Sequence, residues 1–430
     1  MATRKKDFLP ILIGTDLNCY TMSISFHEEY GIKPIVVGRA PVHYTEGTTI
    51  IEKFYYTERI DDYDYFIDYL KDIAKEYQDE YEKLLLIGTN DGYVTFIIEN
   101  KEALKDTFEF SYPDAKLLPE LFLKKNFYNL CEKHGLDVPL TYFYSCASEE
   151  PFNEEVPFPL IVKPSNGLEY YNNSFDGMQK VYKVNNEEEL QSVIQTISAS
   201  GYRDELIIQD FIPGDDTYMW DAVYYGKQNG KARLISFGQV ITQEPTTTGI
   251  GNYTALIVRE NKEVMDKLVR FMEDLNYTGF GNFDLKYDKR DGKFKLFEVN
   301  IRQGRSSYYI TQCGFNLAKM IVDDVIYNKD DAFEYVKGDH IFSVIPKGVL
   351  TRYVSNPEIA NEVKQLIKAG KYKNPIYYPA DKGLKRRIMM RLRDINYFRK
   401  YKNNPLLHSK GLQTNTHYEQ GFVCMKRFVA

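Results

Sequence analysis

The segment 281–307, GNFDLKYDKRDGKFKLFEVNIRQGRSS, constrains this chain more than any other. Two strand-like runs, NFDLKY and KFKLFEVN, flank a turn rich in Asp, Lys and Gly, the pattern of a β-hairpin. Asp284 sits among apolar neighbours in the first run. Glu298 and Asn300, two residues apart, share one face of the second. A carboxylate inside an apolar strand is unfavourable unless it is paired or bound to a cation. Two carboxylates and an amide oxygen on one face are the donor set of a hard divalent ion. They meet only if Asp284 opposes Glu298, because opposed residues point to the same face. A two-residue turn at Asp291-Gly292 puts Asp284 on the wrong face, so a metal site here predicts an odd loop or a bulge. The alternative is a solvated edge hairpin.

The rest of the chain supplies a frame for such a hairpin. LPILIG (9–14), GIKPIVVG (31–38) and LLLIG (84–88) read as buried strands separated by helical stretches, which predicts βαβ units and a parallel sheet. Two of them end in Gly-Thr-Asp and Gly-Thr-Asn-Asp. These turns are either ligand-facing loops at strand carboxyl ends or ordinary helix caps. Residues 121–135 predict a helix closed by Gly135, and VPLTYFYS and FPLIVKP predict strands. Residues 187–199 form an amphipathic helix, and ELIIQDFIPGDD (205–216) a strand entering a Pro-Gly turn. Antiparallel strands follow over 218–258, interrupted by the loop PTTTGIGNYT (245–254), then helices over 261–275 and near 314–328. The expected class is α/β: an N-terminal parallel-sheet domain over 1–118, α+β lobes over 119–202 and 203–330, and a basic segment over 331–430.

A chain of 430 residues with 43% hydrophobic and 27% charged residues has ordinary globular composition. No apolar run approaches the ~18–20 residues needed to span a bilayer. The five cysteines are scattered without a CxxC pair, which argues against a zinc site or disulfide framework and for a cytoplasmic protein with reduced thiols. A net charge of −6 argues against general nucleic-acid binding.

Two further elements fit phosphate chemistry. Lys163 ends an apolar strand before Pro164, and Lys124 starts a helix upstream; both can reach a triphosphate as point charges, or both are surface lysines. The strand 205–216 offers backbone groups at Asp210–Ile212 for an adenine edge, and Asp216 for ribose hydroxyls.

The order Lys124, Lys163, Gln209–Asp216, Asp284, Glu298, Asn300, over about residues 115–310, resembles that of the ATP-grasp superfamily, and EVNIRQGRS resembles its acidic-x-Asn-x-Arg pattern. The resemblance implies that Lys124 and Lys163 contact ATP phosphates. It implies that Gln209 and the backbone of Phe211 and Ile212 bind adenine, and that Asp216 binds ribose. Asp284, Glu298 and Asn300 would ligate two Mg²⁺, and Arg302 would steady the transferring phosphoryl group or a substrate carboxylate, with Arg305 as a second carboxylate ligand. The superfamily's glycine-rich triphosphate loop corresponds here to SNGLEYYNNSFDGMQK (165–180), which has only Gly167 and Gly177 but offers Lys180. ILIGTDLNCYTMSISFHEEYGIKPIVVG and IRQGRSSYY are similar to the D-aspartate ligases of peptidoglycan synthesis. That likeness implies ATP-dependent joining of D-aspartate, through its β-carboxylate, to the lysine ε-amine of a UDP-MurNAc-pentapeptide. Another carboxylate–amine ligase of the superfamily, or a non-catalytic nucleotide-binding module, are the alternatives. His27, His43 and His134 lie outside the motif core.

Charge is uneven. Residues 331–430 hold 19 Lys and Arg against 8 Asp and Glu, leaving −17 on the remainder. Within 382–402, Leu384, Ile388, Leu392, Ile395 and Phe398 fall at helical spacing. This basic helix is docked with a solvated face, or contacts the diphosphate or carboxylates of a nucleotide-linked acceptor, or attaches peripherally to anionic lipid.

Overall fold

The computed structural model describes residues 4–148, 150–246, 249 and 251–404. Three sheets organise it. The N-terminal sheet is wholly parallel, in the order β3-β2-β1-β4, from β1 (Lys6–Ile13), β2 (Ile35–Gly38), β3 (Lys53–Tyr56) and β4 (Tyr81–Gly88). Its central strands are continuous apolar runs because helices cover the sheet. Helix Leu17–Tyr30 is capped by Asp16, whose carboxylate accepts from the Cys19 N–H, and ends at Gly31 in the left-handed region. Helix Asp91–Glu99 is capped likewise by Asn90. So the Gly-Thr-Asp turns are helix caps, and they also stand at the carboxyl edge where β1 and β4 end side by side. Gly14 is required there: a Cβ would lie 1.9 Å from Thr89 Oγ1.

The second sheet is antiparallel, β5-β8-β6-β7, from β5 (Thr141–Ser145), β6 (Leu160–Pro164), β7 (Tyr182–Val184) and β8 (Glu205–Asp210). Helix Glu187–Ala199 packs Leu190, Ile194 and Ile197 onto it. Because β8 pairs with β5 and β6, the lobe boundary expected at 202/203 falls instead after Asp210.

The large sheet runs β14-β13-β9-β11-β12-β16-β17, with β10 and β15 branching from β9. Its strands are β9 (Met219–Gly226), β10 (Ala232–Ile235), β11 (Phe237–Gln243), β12 (Tyr253–Arg259), β13 (Gly279–Asp288), β14 (Lys293–Asn300), β15 (Glu334–Tyr335), β16 (Ile341–Ser343) and β17 (Tyr372–Lys373). The expected division at 330/331 is also corrected, since β15, β16 and β17 hydrogen-bond into this sheet.

The basic helix Leu384–Asn403 docks on the face opposite to its apolar stripe. Arg386, Met390, Tyr397 and Tyr401 are buried, whereas Leu384, Ile388, Leu392 and Ile395 are 54–72% exposed. The reason is chemical. The Arg386 guanidinium donates to the carbonyls of Tyr44 (2.9 Å) and Ile376 (2.8 Å), stands 3.4 Å from Asp381 and lies over the Tyr20 ring, so its charge is satisfied inside. No helix among the described residues is long and apolar enough to cross a membrane. Cys19, Cys131, Cys146 and Cys313 are free thiols; Cys424 lies outside the described residues.

Candidate active site

The hairpin β13–β14 brings Asp284 opposite Glu298 and Asn282 opposite Asn300. A bulge achieves this. The turn spans four residues, with Asp288 opposite Lys293, and the register shifts by one between Asp284 and Leu285. On the other side of β13, Asp221 of β9 also opposes Asp284. Three carboxylates therefore stand in a row across adjacent strands, Asp221 and Asp284 buried and Glu298 partly so. Burial pushes the Asp284 carboxyl well up, and the neighbouring Glu298 and Asp221 push it further. Asp221 is raised to about 6 by burial, although Asn282 (2.9 Å) and Ser306 (3.0 Å) donate to it.

Among the described residues no three Asp, Glu, His or Cys side chains form a ready cage for a metal. The third protein oxygen is the amide of Asn300, whose Nδ2 donates to Asp284 (3.3 Å). Two carboxylates and one amide fit Mg²⁺, which takes few protein oxygens and completes its shell from water and substrate phosphates. In this structure Lys124 provides the positive charge. Its Nζ donates to Glu298 (2.7 Å) and to the Phe297 carbonyl (2.9 Å).

Alternation along β13 places Asn282, Asp284 and Lys286 on one face. Lys286 was not singled out in the sequence, yet it is buried and its amine is lowered to about 8 by burial. Lys163 on β6 is buried too and lowered to about 7, by burial and then by the nearby charge of Lys124. The Phe211 ring lies 3.9 Å from Lys183 Nζ and 5.8 Å from Lys286 Nζ. An aromatic ring flanked by amines, next to the carboxylate row, is a setting suited to a polyphosphate.

Two expected nucleotide contacts have side chains engaged within the fold. The Gln209 amide turns into the lobe, donating to Tyr128 (3.0 Å) and Thr141 (2.9 Å), and is buried, so its side chain is not presented to a base. Asp216 is buried and accepts from the Gln243 backbone (3.2 Å) and side chain (2.8 Å), which commits its carboxylate to β11. The Phe211 N–H bonds the Pro159 carbonyl (3.1 Å), and Ile212 follows it as a fully buried residue. Lys180 stands half-buried just before β7.

Beyond Asn300 the chain turns toward the N-terminal sheet. Arg302 Nη2 donates to Asp91 Oδ2 (3.0 Å) and its Nε lies 3.0 Å from Oδ1, so the Asn90-Asp91 turn holds the guanidinium beside Asn300. Asn18 ties the same junction by donating to the Thr89 (2.9 Å) and Gln303 (2.7 Å) carbonyls. Gly304 permits the approach, since a Cβ there would meet Asn282 Oδ1 at 2.0 Å. The junction opens into a cavity of about 550 Å³ lined by Asp16, Asp91, Arg302 and Arg305 together with His43 and Tyr44. His43, set aside in the sequence, is thus a cavity residue. Burial and the surrounding cations lower it to about 4, so it is neutral at pH 7. His27 and His134 are engaged elsewhere, with Tyr378 and Asp274.

No protein-family profile matches the chain. Over 410 residues it is 34% identical to the D-aspartate ligase of Enterococcus faecium (strain Aus0004), an alignment that covers 92% of this chain and 96% of that one. Among solved structures, an L-amino acid ligase from Bacillus licheniformis superposes with TM-score 0.53 at 16% identity over 75% of each chain. The N5-carboxyaminoimidazole synthetase of Staphylococcus aureus superposes with TM-score 0.54 at 12% identity, over 81% of this chain and 84% of that one. Biotin carboxylase from Campylobacter jejuni gives TM-score 0.53 at 13% identity, over 77% and 74%. At these identities the structures share a fold, and that fold is ATP-grasp. The likeness to the Enterococcus ligase, over nearly the whole of both chains, places this chain in the D-aspartate ligase family.

Proposed function

We propose that the protein is an ATP- and Mg²⁺-dependent ligase that joins D-aspartate, through its β-carboxylate, to the lysine ε-amine of a UDP-MurNAc-pentapeptide. The observation that carries the chemistry is the bulged opposition of Asp284 and Glu298 with Asn300 and Arg302 following on the same strand end. The family supports the donor.

A carboxylate is a poor electrophile at neutral pH, and phosphorylation converts one of its oxygens into part of a leaving group. Lys163 and Lys124 would hold the triphosphate, Lys286 and Phe211 would line the nucleotide's cleft, and Arg302 would face the oxygens on which charge develops. Asp284, Glu298 and Asn300 would hold Mg²⁺, which neutralises charge on the phosphates. Lys124, which here donates to Glu298, would then be available to phosphate. The donor's β-carboxylate oxygen bonds to the γ-phosphorus as ADP leaves. The acceptor amine then attacks the acyl carbon, loses a proton, and inorganic phosphate departs with one former carboxylate oxygen. The two lobes exclude water during the life of the acyl phosphate.

We also read the exposed stripe Leu384, Ile388, Leu392 and Ile395, beside the exposed Arg387 and Arg391, as a peripheral contact for anionic lipid. The proposed setting is cytoplasmic.

The test is phosphate release from ATP and Mg²⁺ with a panel of amino acids, with and without a lysine-containing UDP-MurNAc-pentapeptide. Release that needs both D-aspartate and the precursor, and is lost in Glu298→Ala, is the expected result. Release only with another donor or acceptor overturns the substrate assignment.

A further inference from the structure

The cavity beside Arg302 has two chemically different ends. At one, Arg305 and Arg393 both donate to a single acceptor, the Tyr44 hydroxyl, at 3.0 and 3.1 Å. Arg393 comes from the basic helix, far outside the ATP-grasp lobes in sequence. It is fixed by the Val344 carbonyl (2.7 Å) and lies 4.3 Å from the Tyr397 ring centre. Lys400, one further turn along, adds a third cation at 3.4 Å from Glu244. Glu244 faces Arg305 (3.9 Å) and Lys400, Tyr397 donates to it, and Asp394 lies 3.7 Å from Arg393. His43 is neutral, so this end sets three cations, Arg305, Arg393 and Lys400, against two carboxylates, Glu244 and Asp394. The Nε atoms of both Arg305 and Arg393 are buried without a hydrogen-bond partner. Two desolvated guanidiniums share one hydroxyl while their carboxylates stand no closer than 3.7 Å, so neither holds the hydrogen-bonded anion that a guanidinium pair ordinarily binds. Their field pulls the Tyr44 hydroxyl below its usual range despite its burial.

At the other end Asp91 is taken by Arg302, but Asp16 forms no ion pair among the described residues. Its Oδ1 accepts from the Cys19 N–H (3.1 Å) and the Thr89 hydroxyl (3.3 Å). An amino acid bearing two carboxylates matches this layout: ammonium toward Asp16, one carboxylate toward Arg302 and the metal face, the other toward the arginine pair.

We propose that the basic helix completes the donor subsite, with Arg393 and Arg305 binding the aspartate carboxylate that is not activated, so that Arg393 determines donor specificity. This rests on the ligase reading above. Arg393 forms no part of the phosphoryl-transfer machinery, so its loss acts on donor binding.

The experiment compares wild-type full-length enzyme with Arg393→Gln and Arg393→Lys in steady-state assays with D-aspartate, ATP and the muropeptide. The expected result is a KM for D-aspartate raised roughly 50-fold in Arg393→Gln, with kcat and the KM for ATP changed less than about threefold. Arg393→Lys should recover part of that loss, as a charge without the fork. Preference for D-aspartate over 3-aminopropanoate, which has the reacting carboxylate and the amine but no second carboxylate, should fall by the same factor. A merely structural role would lower kcat and thermal stability and leave that preference intact, which overturns the proposal. An active wild type whose Arg393→Gln keeps its KM for D-aspartate overturns the subsite alone. A wild type inert with D-aspartate overturns the ligase reading and the subsite with it.

Discussion

Lys163 offers a quantitative test, because it is a buried amine whose charge the fold does not compensate. Its value falls from 10.5 in the unfolded chain to about 7. Below pH 7 both states carry the proton, and the native state bears the full penalty of a charge in the interior. Between pH 7 and 10.5 the unfolded state still binds the proton that the native state has released, so stability rises with pH. At pH 8.5 the relief amounts to about 2 kcal/mol, from 1.5 units at about 1.4 kcal/mol each. Lys163→Met abolishes the titration. Without nucleotide, the variant should therefore be more stable than wild type at pH 6.5, and its advantage should shrink by about 2 kcal/mol, a few degrees in Tm, by pH 8.5. A bound triphosphate supplies the missing anion and returns the amine to its charged form. Calorimetric titration of ATP at pH 8, in two buffers of different ionisation enthalpy, should show about 0.9 proton more uptake by wild type than by Lys163→Met, with any uptake at Lys286 common to both. An advantage that does not vary with pH, or equal proton uptake in the two proteins, would refute the reasoning.

Three other outcomes follow from the same contacts. Glu298→Ala leaves the buried Lys124 without its carboxylate, and should lower stability by about 3–5 kcal/mol as well as abolish turnover, whereas Glu298→Gln keeps an acceptor for Lys124 and should lose turnover with a much smaller fall in Tm. Asp91→Ala strips Arg302 of its carboxylate partner; thermal unfolding and kcat should both fall, and Asp91→Asn should fall less in each. Ile388→Ser with Leu392→Ser removes two exposed apolar anchors, and should weaken sedimentation with anionic vesicles about tenfold or more while leaving turnover in solution unchanged.

The hairpin was legible because its chemistry is local: an acid inside an apolar strand demands a partner, and strand alternation says where that partner must be. The need for a bulge could be stated from register alone; its position at Phe297 could not. The parallel N-terminal sheet was legible from its continuous apolar runs. Asp221 becomes informative only when β9 is aligned with β13, whereas Lys286 shares the face of Asp284 by simple alternation and becomes informative once its burial is known. The adenine role of Gln209 followed from the resemblance alone and that of Asp216 from its place after the Pro-Gly turn; neither showed that the Gln209 amide bonds Tyr128 and Thr141 or that Asp216 bonds Gln243. The basic helix inverted the usual rule, because hydrophobic spacing identifies the buried face only when charged residues lack interior partners. Arg386 has carbonyls, a carboxylate and an aromatic ring there. Arg393 lies 88 residues beyond Arg305 in sequence, and only the docked helix brings the two together at Tyr44.

The central claim is that a donor carboxylate is activated as an acyl phosphate at the hairpin. D-aspartate labelled with oxygen-18 in its β-carboxylate tests it directly, by mass spectrometry of the phosphate released with ATP, Mg²⁺ and the muropeptide. One labelled oxygen should appear in each phosphate formed, in step with the ligated product. Product formed alongside wholly unlabelled phosphate would contradict the account.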